Sequence, residues 1–537
     1  MIRRARVLTP KGWIEGAEER GVLAFRGIPF AQSTAGEARF RAPRPVRAWS
    51  GTLDASFFGR AAPQPGTRSG PLARWSAVPP AGAGEDCLNL NVWTPAADHR
   101  RRAVLIWVHG GGFSHGSGSF HLYAGDRLAR RGDVVVVTFN YRLGVFGGLD
   151  LRGLGGGASA DTNFALRDQI TALEWVQSNI ESFGGDPDNV TLFGQSAGAM
   201  SVGTLMASPR GADLFRRGIL QSGAGDNVLS VEQARRIAGL LLEKMNLDAG
   251  QGDVVRALRK LNWATLLRAQ LELRAEHGLR LGMLAWQPVI DGDLVPGLPR
   301  ARFEAGEAMK VPLLIGTNRD EWKMFTATDK RRRTLDEGTL RKYLTQTFLG
   351  SREPDSTDVS AAIAGARTEE ALSLYGTGRD GAACSPSEIW NRIQTDRVFH
   401  YPAVELADAH TGRGAPTWFY RFDWKPPLAP NRVGACHALE LAFVFGTLRT
   451  RWLRPLFGMS SKSVTLSDRM QAAWLSFART GDPGADGDVA WPAYECGQGR
   501  TRVFGGHEST DRTIDPALKE FWKGSPEVRD RVLRGRF

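Results

Sequence analysis

Asn189–Met200 reads NVTLFGQSAGAM, and the fold turns on how these residues are taken. Val190–Gly194 is a short β-rich run, and the residues from Ala197 onward, AGAMSVGTLMAS, are small and compatible with a helix. Between them Gly194-Gln195-Ser196-Ala197-Gly198 matches G-x-S-x-G in the strand-turn-helix setting that gives that pattern meaning. A sharp turn at Ser196 would strain the backbone, and glycines at 194 and 198 would remove side chains that collide where strand and helix approach. The hydroxyl would then stand exposed above the end of a sheet. The pentapeptide alone fits any turn rich in small residues, so its weight depends on what surrounds it.

Working outward, β-rich runs recur at 104–108, 134–139, 190–194, 218–221, 312–316 and 417–422, with helical patterns between them. Continuous apolar strands alternating with helices predict a mostly parallel sheet covered on both faces, an α/β architecture. Residues 163–180 place Phe164, Ile170, Leu173, Val176 and Ile180 near one helical stripe, and 467–479 shows a similar pattern. The first hundred residues, rich in Gly, Pro and short alternating segments, predict a small antiparallel sheet leading into the main one. Gly153–Gly157 reads as a loop, because the strand and spacing of a nucleotide-binding loop are missing. The chain is expected to form one domain over 1–537. A possible subdivision gives a catalytic core at 1–330, a helical insert carrying a histidine loop at 331–450 and a helical region at 451–537.

Of the 537 residues 42% are hydrophobic and sixteen are Trp, ample for a sizeable core. The formal charge of +12 would point to nucleic acid if the basic residues gathered on one element. The runs Arg100–Arg102, Lys330–Arg333 and Arg449–Arg454 lie far apart in polar stretches that read as loops, so a solvated surface is expected, with no nucleic-acid partner. Cys87, Cys384, Cys436 and Cys496 lack metal-ligand spacing and are expected to be free, buried thiols, with no metal or cofactor. The opening MIRRARVLTPKGWIEG has charge without a following apolar stretch, and no apolar run approaches the roughly 20 residues of a membrane span. A soluble, cytoplasmic protein is therefore expected.

A serine hydroxyl is a poor nucleophile at neutral pH and needs oxyanion donors, a base and an acid to orient that base. After the run at 104–108 comes His109-Gly110-Gly111-Gly112-Phe113, where consecutive glycines let backbone N–H groups converge on one point. Gly111, Gly112 and Ala197 are the expected donors. Among nine histidines, His99 and His507 sit in polar loops, His109 lies inside the glycine loop, and His115 and His121 follow it closely. His437, in GACHALELAFVFG after the run at 417–422, should arrive at the strand ends where sites form in open α/β sheets. Glu321 and its neighbour Asp320, in IGTNRDEW just past 312–316, are both candidates for the acid, and pattern alone does not separate them. Nucleophile, acid and histidine in that order is the α/β-hydrolase order, unlike that of chymotrypsin or subtilisin.

With these residues in hand, the chain resembles the type-B carboxylesterases, the cholinesterase-like branch of the α/β-hydrolases. FRGIPFA (Phe25–Ala31), RFRAP (Arg39–Pro43), EDCLNLNVWTP (Glu85–Pro95) and, most specifically, FGGDPDNVTLFGQSAGA (Phe183–Ala199) resemble that family's motifs. The resemblance implies an α/β-hydrolase fold and places the nucleophile at Ser196, the base at His437 and the acid at Glu321 rather than Asp320. It puts the oxyanion donors at Gly111, Gly112 and Ala197 and implies a structural Arg39–Glu85 salt bridge. Secreted members pair the cysteine of the EDCL motif with an upstream one, but GRAAPQ (Gly59–Gln64) holds no cysteine, so Cys87 has no partner, as in bacterial-type members. Trp75 is not aligned with the choline-stacking Trp of cholinesterases. Where the family usually has Gly, this chain has Trp322, expected to pack beneath the site. Phe113, Met324 and Phe325 are candidates for an apolar substrate pocket or for ordinary core.

The expected function is hydrolysis of small-molecule carboxylic esters through an acyl-enzyme. Carbamate or amide hydrolysis by the same triad is the alternative, and a non-catalytic scaffold of the same fold is a third reading. Most of the family has Glu at the position of Gln195, so a neutral amide there implies weak preference for cationic substrates.

Overall fold

The computed structural model describes residues 3–66, 81–155, 160–248, 250, 252–281, 284–327, 329–349, 358–378, 381–450, 457–458, 460–484, 490–497, 499–506, 510–512 and 514–523. Among these, one 13-stranded sheet organises the molecule. Its strands are β1 (Arg4–Thr9), β2 (Gly12–Glu19), β3 (Val22–Pro29), β4 (Thr52–Asp54), β5 (Asn89–Thr94), β6 (Arg102–Val108), β7 (Val135–Phe139), β8 (Gly185–Gln195), β9 (Arg217–Gln221), β10 (Leu313–Asn318), β11 (Thr417–Phe422), β12 (Arg500–Phe504) and β13 (Thr510–Arg512). They lie in the order β1-β2-β3-β5-β7-β6-β8-β9-β10-β11-β12-β13, with β4 pairing β2. From β7 through β12 all neighbours are parallel, whereas β1, β2, β3 and β5 form the antiparallel end. The expected α/β-hydrolase architecture is present. The expected N-terminal antiparallel strands lead into the main sheet and join it through β5.

β6 shows why the parallel strands read as unbroken apolar runs. Every residue of RAVLIWV is buried, and successive side chains go to opposite faces. Val104, Ile106 and Val108 join the core built on the helix Phe164–Asn179, with Leu166, Ile170, Leu173 and Val176. Leu105 and Trp107 join the opposite core, where Met470, Trp474 and Phe477 of the helix Ser461–Thr480 pack. Each fully buried Val, Leu or Ile contributes about 1.5–3 kcal/mol, so a strand walled on both sides is fixed firmly in place. The second helix begins earlier than the apolar stripe indicates, because the Ser460 side chain accepts the Ser463 N–H at 3.2 Å and caps it.

The chain leaves β6 for β7 on one side and later returns to β8 on the other, so a topological switch point opens at the C-terminal end of β6. There Val108 pairs in register with Gly194 of β8, which brings the glycine loop and the serine turn to the same level. β11, inside the 331–450 stretch, belongs to the main sheet, and β12 and β13 lie within 451–537.

Several surface expectations are corrected. Arg102 is a buried first residue of β6 held by Asp98 and Asp133, and Lys330–Arg333 forms a short helix capped by Asp329. A guanidinium can enter a strand when carboxylates cover it, and an aspartate before a polar run starts a helix. Cys87 and Cys436 are buried and unbridged as expected, but Cys384 is only partly buried and Cys496 is exposed. The Arg39–Glu85 ion pair is present at 2.6 Å and buried. Arg451–Arg454, Trp75, His507, Gly156 and Gly157 lie outside the described residues. No described helix is long and apolar enough to cross a membrane.

Candidate active site

The serine turn is where the backbone departs furthest from ordinary geometry. Ser196 adopts φ 55° and ψ −126°, a region that residues bearing a Cβ avoid, between the end of β8 and the helix Ala197–Ala207. The turn is held by Ser196 N–H donating to the Gln221 carbonyl at 2.9 Å and by Met200 N–H donating to the Ser196 carbonyl at 2.9 Å. The two glycines of the pentapeptide are required by space. A Cβ on Gly194 would come 2.5 Å from the Gly198 carbonyl carbon, and one on Gly198 would strike the Val108 carbonyl of β6.

Gly111 and Gly112 follow β6 with φ 115° and 60°. The Gly111 carbonyl accepts the N–H groups of Ser114 and His115 at 3.1 and 3.0 Å, which fixes the loop. A Cβ on Gly110 would lie 3.1 Å from the Ser196 Cβ, so this loop runs directly against the serine turn. Ala197 opens the following helix, where a first N–H has no partner within the helix. Beneath the loop, His109 stacks on Tyr141 with centroids 4.3 Å apart, and burial pushes its imidazole down to about 4, leaving it neutral.

The histidine and carboxylate candidates meet as a pair. His437 Nδ1 lies 2.7 Å from Glu321 Oε2, and the Asn318 backbone N–H donates to the other oxygen, Oε1, at 2.7 Å. Both side chains are buried, Glu321 completely. A carboxylate can only accept, so Nδ1 carries the proton and Nε2 presents a bare lone pair. That lone pair accepts an N–H from the Gln195 amide at 3.0 Å, which sets the ring beside the residue preceding Ser196. Asp320 has a different task. Its Oδ2 accepts the Ala435 N–H at 2.9 Å and its Oδ1 pairs with Lys323 at 3.3 Å, tying the acid loop to the histidine loop.

The aromatic candidates divide. Phe325 faces His437 with centroids 5.4 Å apart, Phe113 is packed in the core, and Met324 is 42% exposed. Trp322 packs beneath, against Phe325 and Phe399. His99, His115 and His121 are exposed and take no part in the pair.

Sequence reasoning passed over Phe399, whose ring lies 4.6 Å from that of His437 and nearly parallel to Phe325. It sits on a π-helical turn, Asp396–His400, between two α-helices, and nothing local in DRVFH announces the extra residue. Leu284 was also passed over; it approaches the glycine loop, 3.4 Å from where a Gly112 Cβ would stand. Glu440 was missed as well, although a carboxylate set in the apolar run LELAFVF is itself a signal of a buried acid. Its oxygens accept amide N–H groups from Gln221 at 3.1 Å and Asn318 at 2.6 Å, and burial beside Glu321 pushes it up to about 7.

A strained serine, a glycine loop against it and a buried His–Glu pair thus meet at the switch point of a parallel sheet. The carboxylesterase family model matches residues 3–520, and the chain belongs to that family and is a carboxylic ester hydrolase. It is 37% identical over 513 residues to the para-nitrobenzyl esterase of Bacillus subtilis (strain 168), covering 95% of this chain and 94% of that protein. It is 34% identical over 512 residues to the phenmedipham hydrolase of Pseudarthrobacter oxydans, covering 94% of this chain and 96% of the relative. Among solved structures, a carboxylesterase of Geobacillus stearothermophilus superposes with a TM-score of 0.81 at 37% identity, over 96% of this chain and all of that one, 100%.

Proposed function

We propose that this chain hydrolyses small-molecule carboxylic esters with Ser196 as nucleophile, His437 as base and acid, Glu321 as the orienting carboxylate, and the N–H groups of Gly111, Gly112 and Ala197 as the oxyanion hole. The observation that carries the reading is the His437–Glu321 pair, 2.7 Å apart and buried, delivered beside the strained turn at Ser196. His437 Nε2 takes the Ser196 proton as Oγ attacks the ester carbonyl, and the three N–H groups hold the oxyanion. Collapse breaks the bond to the alcohol, which leaves with the proton from His437. Water, deprotonated by the same nitrogen, then clears the acyl-enzyme and returns the proton to Ser196.

In the free enzyme the Nε2 lone pair is occupied by Gln195, so Ser196 must displace an amide N–H before it can lose its own proton. The Ser196–His437 hydrogen bond then forms in the substrate complex, where catalytic hydrogen bonds tighten. The leaving alcohol must pass the nitrogen that protonates it, and Phe325 and Phe399 flank that ring. Aromatic alcohol moieties are therefore the favoured leaving groups, a reading supported by the similarity to a para-nitrobenzyl esterase. The neutral Gln195 supplies no charge for a cationic alcohol. The same triad serves carbamates, and the similarity to a phenmedipham hydrolase supports including them.

Turnover of a panel of p-nitrophenyl esters, benzyl esters, aryl carbamates and phenmedipham, beside Ser196→Ala, tests the reading. Loss of several orders of magnitude in the variant and labelling of the wild type alone by a fluorophosphonate are expected. Near-normal ester turnover by Ser196→Ala would sink the assignment.

A further inference from the structure

The basic run at 330–333 has no part in the proposed mechanism, yet it follows directly on the acid loop. After Glu321 comes a short helix, Lys323–Thr326, which carries Phe325 against His437 and leaves Met324 42% exposed. The helix Lys330–Arg333 is tied to it, because the Asp329 N–H donates to the Thr326 carbonyl at 3.0 Å and the Asp329 carboxylate accepts the Arg331 N–H at 3.0 Å. Arg332 turns back to pair with Asp329 at 3.3 Å. Lys330, Arg331 and Arg333 are exposed, and among the described residues no carboxylate pairs with them. The histidine loop adds a fourth cation on the same side. Arg432, on the helix Pro430–Val433 ahead of His437, donates through Nη2 and Nε to the Ala327 carbonyl at 2.9 and 3.3 Å. A carbonyl holds that guanidinium in place without cancelling its charge.

Little opposes this patch. Within 323–333 and 430–433 Asp329 is the one acidic residue. Asp320 and Glu388 are both taken by Lys323, at 3.3 and 3.1 Å. Asp336 is spent on the N–H and hydroxyl of Thr339, and Glu337 pairs with Arg341 at 2.9 Å. Further in, the side chain that meets His437 Nε2 is the neutral Gln195 amide. By chain reach the cations stand on the order of 10–20 Å from the imidazole, beyond Phe325 as seen from it. Like charges gathered at the mouth of a cleft with low-dielectric walls raise the local concentration of an oppositely charged substrate.

We propose, on the reading that Ser196, His437 and Glu321 form the triad, that Lys330, Arg331, Arg333 and Arg432 form a cationic rim on the leaving-group side of the site, selecting esters whose aromatic alcohol bears a carboxylate at its outer end. Phe325 flanks the aromatic ring and the rim meets the carboxylate beyond it. The bonds formed and broken are those of the ester hydrolysis already described, and the carboxylate departs unchanged on the released alcohol.

The test compares kcat/KM for p-acetoxybenzoate with that for p-acetoxybenzamide, which match in size and differ by one charge. Taking the anionic-to-neutral ratio in wild type and in the triple variant Lys330→Gln/Arg331→Gln/Arg333→Gln cancels the reactivity of each leaving group. Three unit charges acting through water over such distances should make the ratio roughly threefold to tenfold lower in the variant at roughly 0.01 M salt. Raising the salt to roughly 1 M should bring the wild type down to the variant's ratio, as the screening length shrinks from about 30 to about 3 Å. A ratio unchanged by the substitutions, or insensitive to salt in the wild type, overturns the proposal and leaves a solvated surface only. A loss shared equally by both esters overturns it too, and the wild-type salt response decides the matter should the variant fail to fold. Salt-sensitive retention on heparin with an unchanged ratio would assign the patch to a polyanion, against the proposal. Full turnover of the neutral ester by Ser196→Ala would defeat the triad itself, whereas an inactive Ser196→Ala with an unchanged ratio in the triple variant defeats only this inference.

Discussion

Replacing Glu321 by glutamine removes one negative charge while keeping the side chain's shape, and the structure sets how much that should cost. The Glu321 oxygen lies 2.7 Å from His437 Nδ1. At an effective dielectric constant of about 20, a charge pair at that separation is worth about 6 kcal/mol. The carboxylate acts on the positive charge that forms on the imidazole as it takes the serine proton, so that energy falls on the transition state. At about 1.4 kcal/mol per tenfold in rate, and allowing for relaxation around the neutral amide, the loss is on the order of 10³- to 10⁴-fold in kcat. A second effect points the same way. The site offers two donors to Glu321, His437 Nδ1–H and the Asn318 N–H, but glutamine has one oxygen. If the amide turns its NH₂ toward His437, the ring must carry its proton on Nε2 and has no lone pair left for Ser196. Steady-state hydrolysis of p-nitrophenyl acetate by Glu321→Gln, with circular dichroism to verify the fold, measures the loss. A folded variant retaining more than about a tenth of wild-type kcat would refute the electrostatic account.

Gln195→Glu should raise the rate on choline esters relative to isosteric neutral esters, because it adds a negative charge beside the site; unchanged relative rates would defeat that interpretation. Arg39→Met leaves Glu85 buried without its cation and also frees the Leu258 and Leu261 carbonyls, so urea denaturation should show a loss of about 3–5 kcal/mol. Glu440 should also mark the stability curve. Its folded value of about 7 lies above the ordinary 4.5, so the native state binds more protons than the unfolded one between those values. Its contribution therefore falls as pH rises from about 4.5 to about 7 and is level above that, by on the order of 1–3 kcal/mol. Urea midpoints of wild type against Glu440→Gln across that range measure it, and parallel curves would argue against a raised value.

The local chemistry of this protein was legible in the sequence because it is written in consecutive residues. The strand-turn-helix around Ser196, the glycines at 111 and 112 after β6 and the unbroken apolar runs each follow from sterics or burial acting over a few positions, and the α/β sheet followed from those runs. Chain order placed Glu321 and His437 at strand ends. Residue pattern left Glu321 and Asp320 undivided, and only the resemblance to known esterases separated them. The physical difference is tertiary: Glu321 reaches His437 Nδ1 while Asp320 turns to Ala435 and Lys323. Long-range approach likewise decided what faces the imidazole. Phe399 arrives on a π-turn set by packing between helices, and Gln195 engages His437 across 242 residues of chain. The sequence determined that Ser196, the glycine loop, Glu321 and His437 would gather at one sheet edge. Only the folded chain decided which atoms share a hydrogen bond and that Asn318 donates to both Glu321 and Glu440, because those depend on distances of a few ångströms between segments that no local pattern relates.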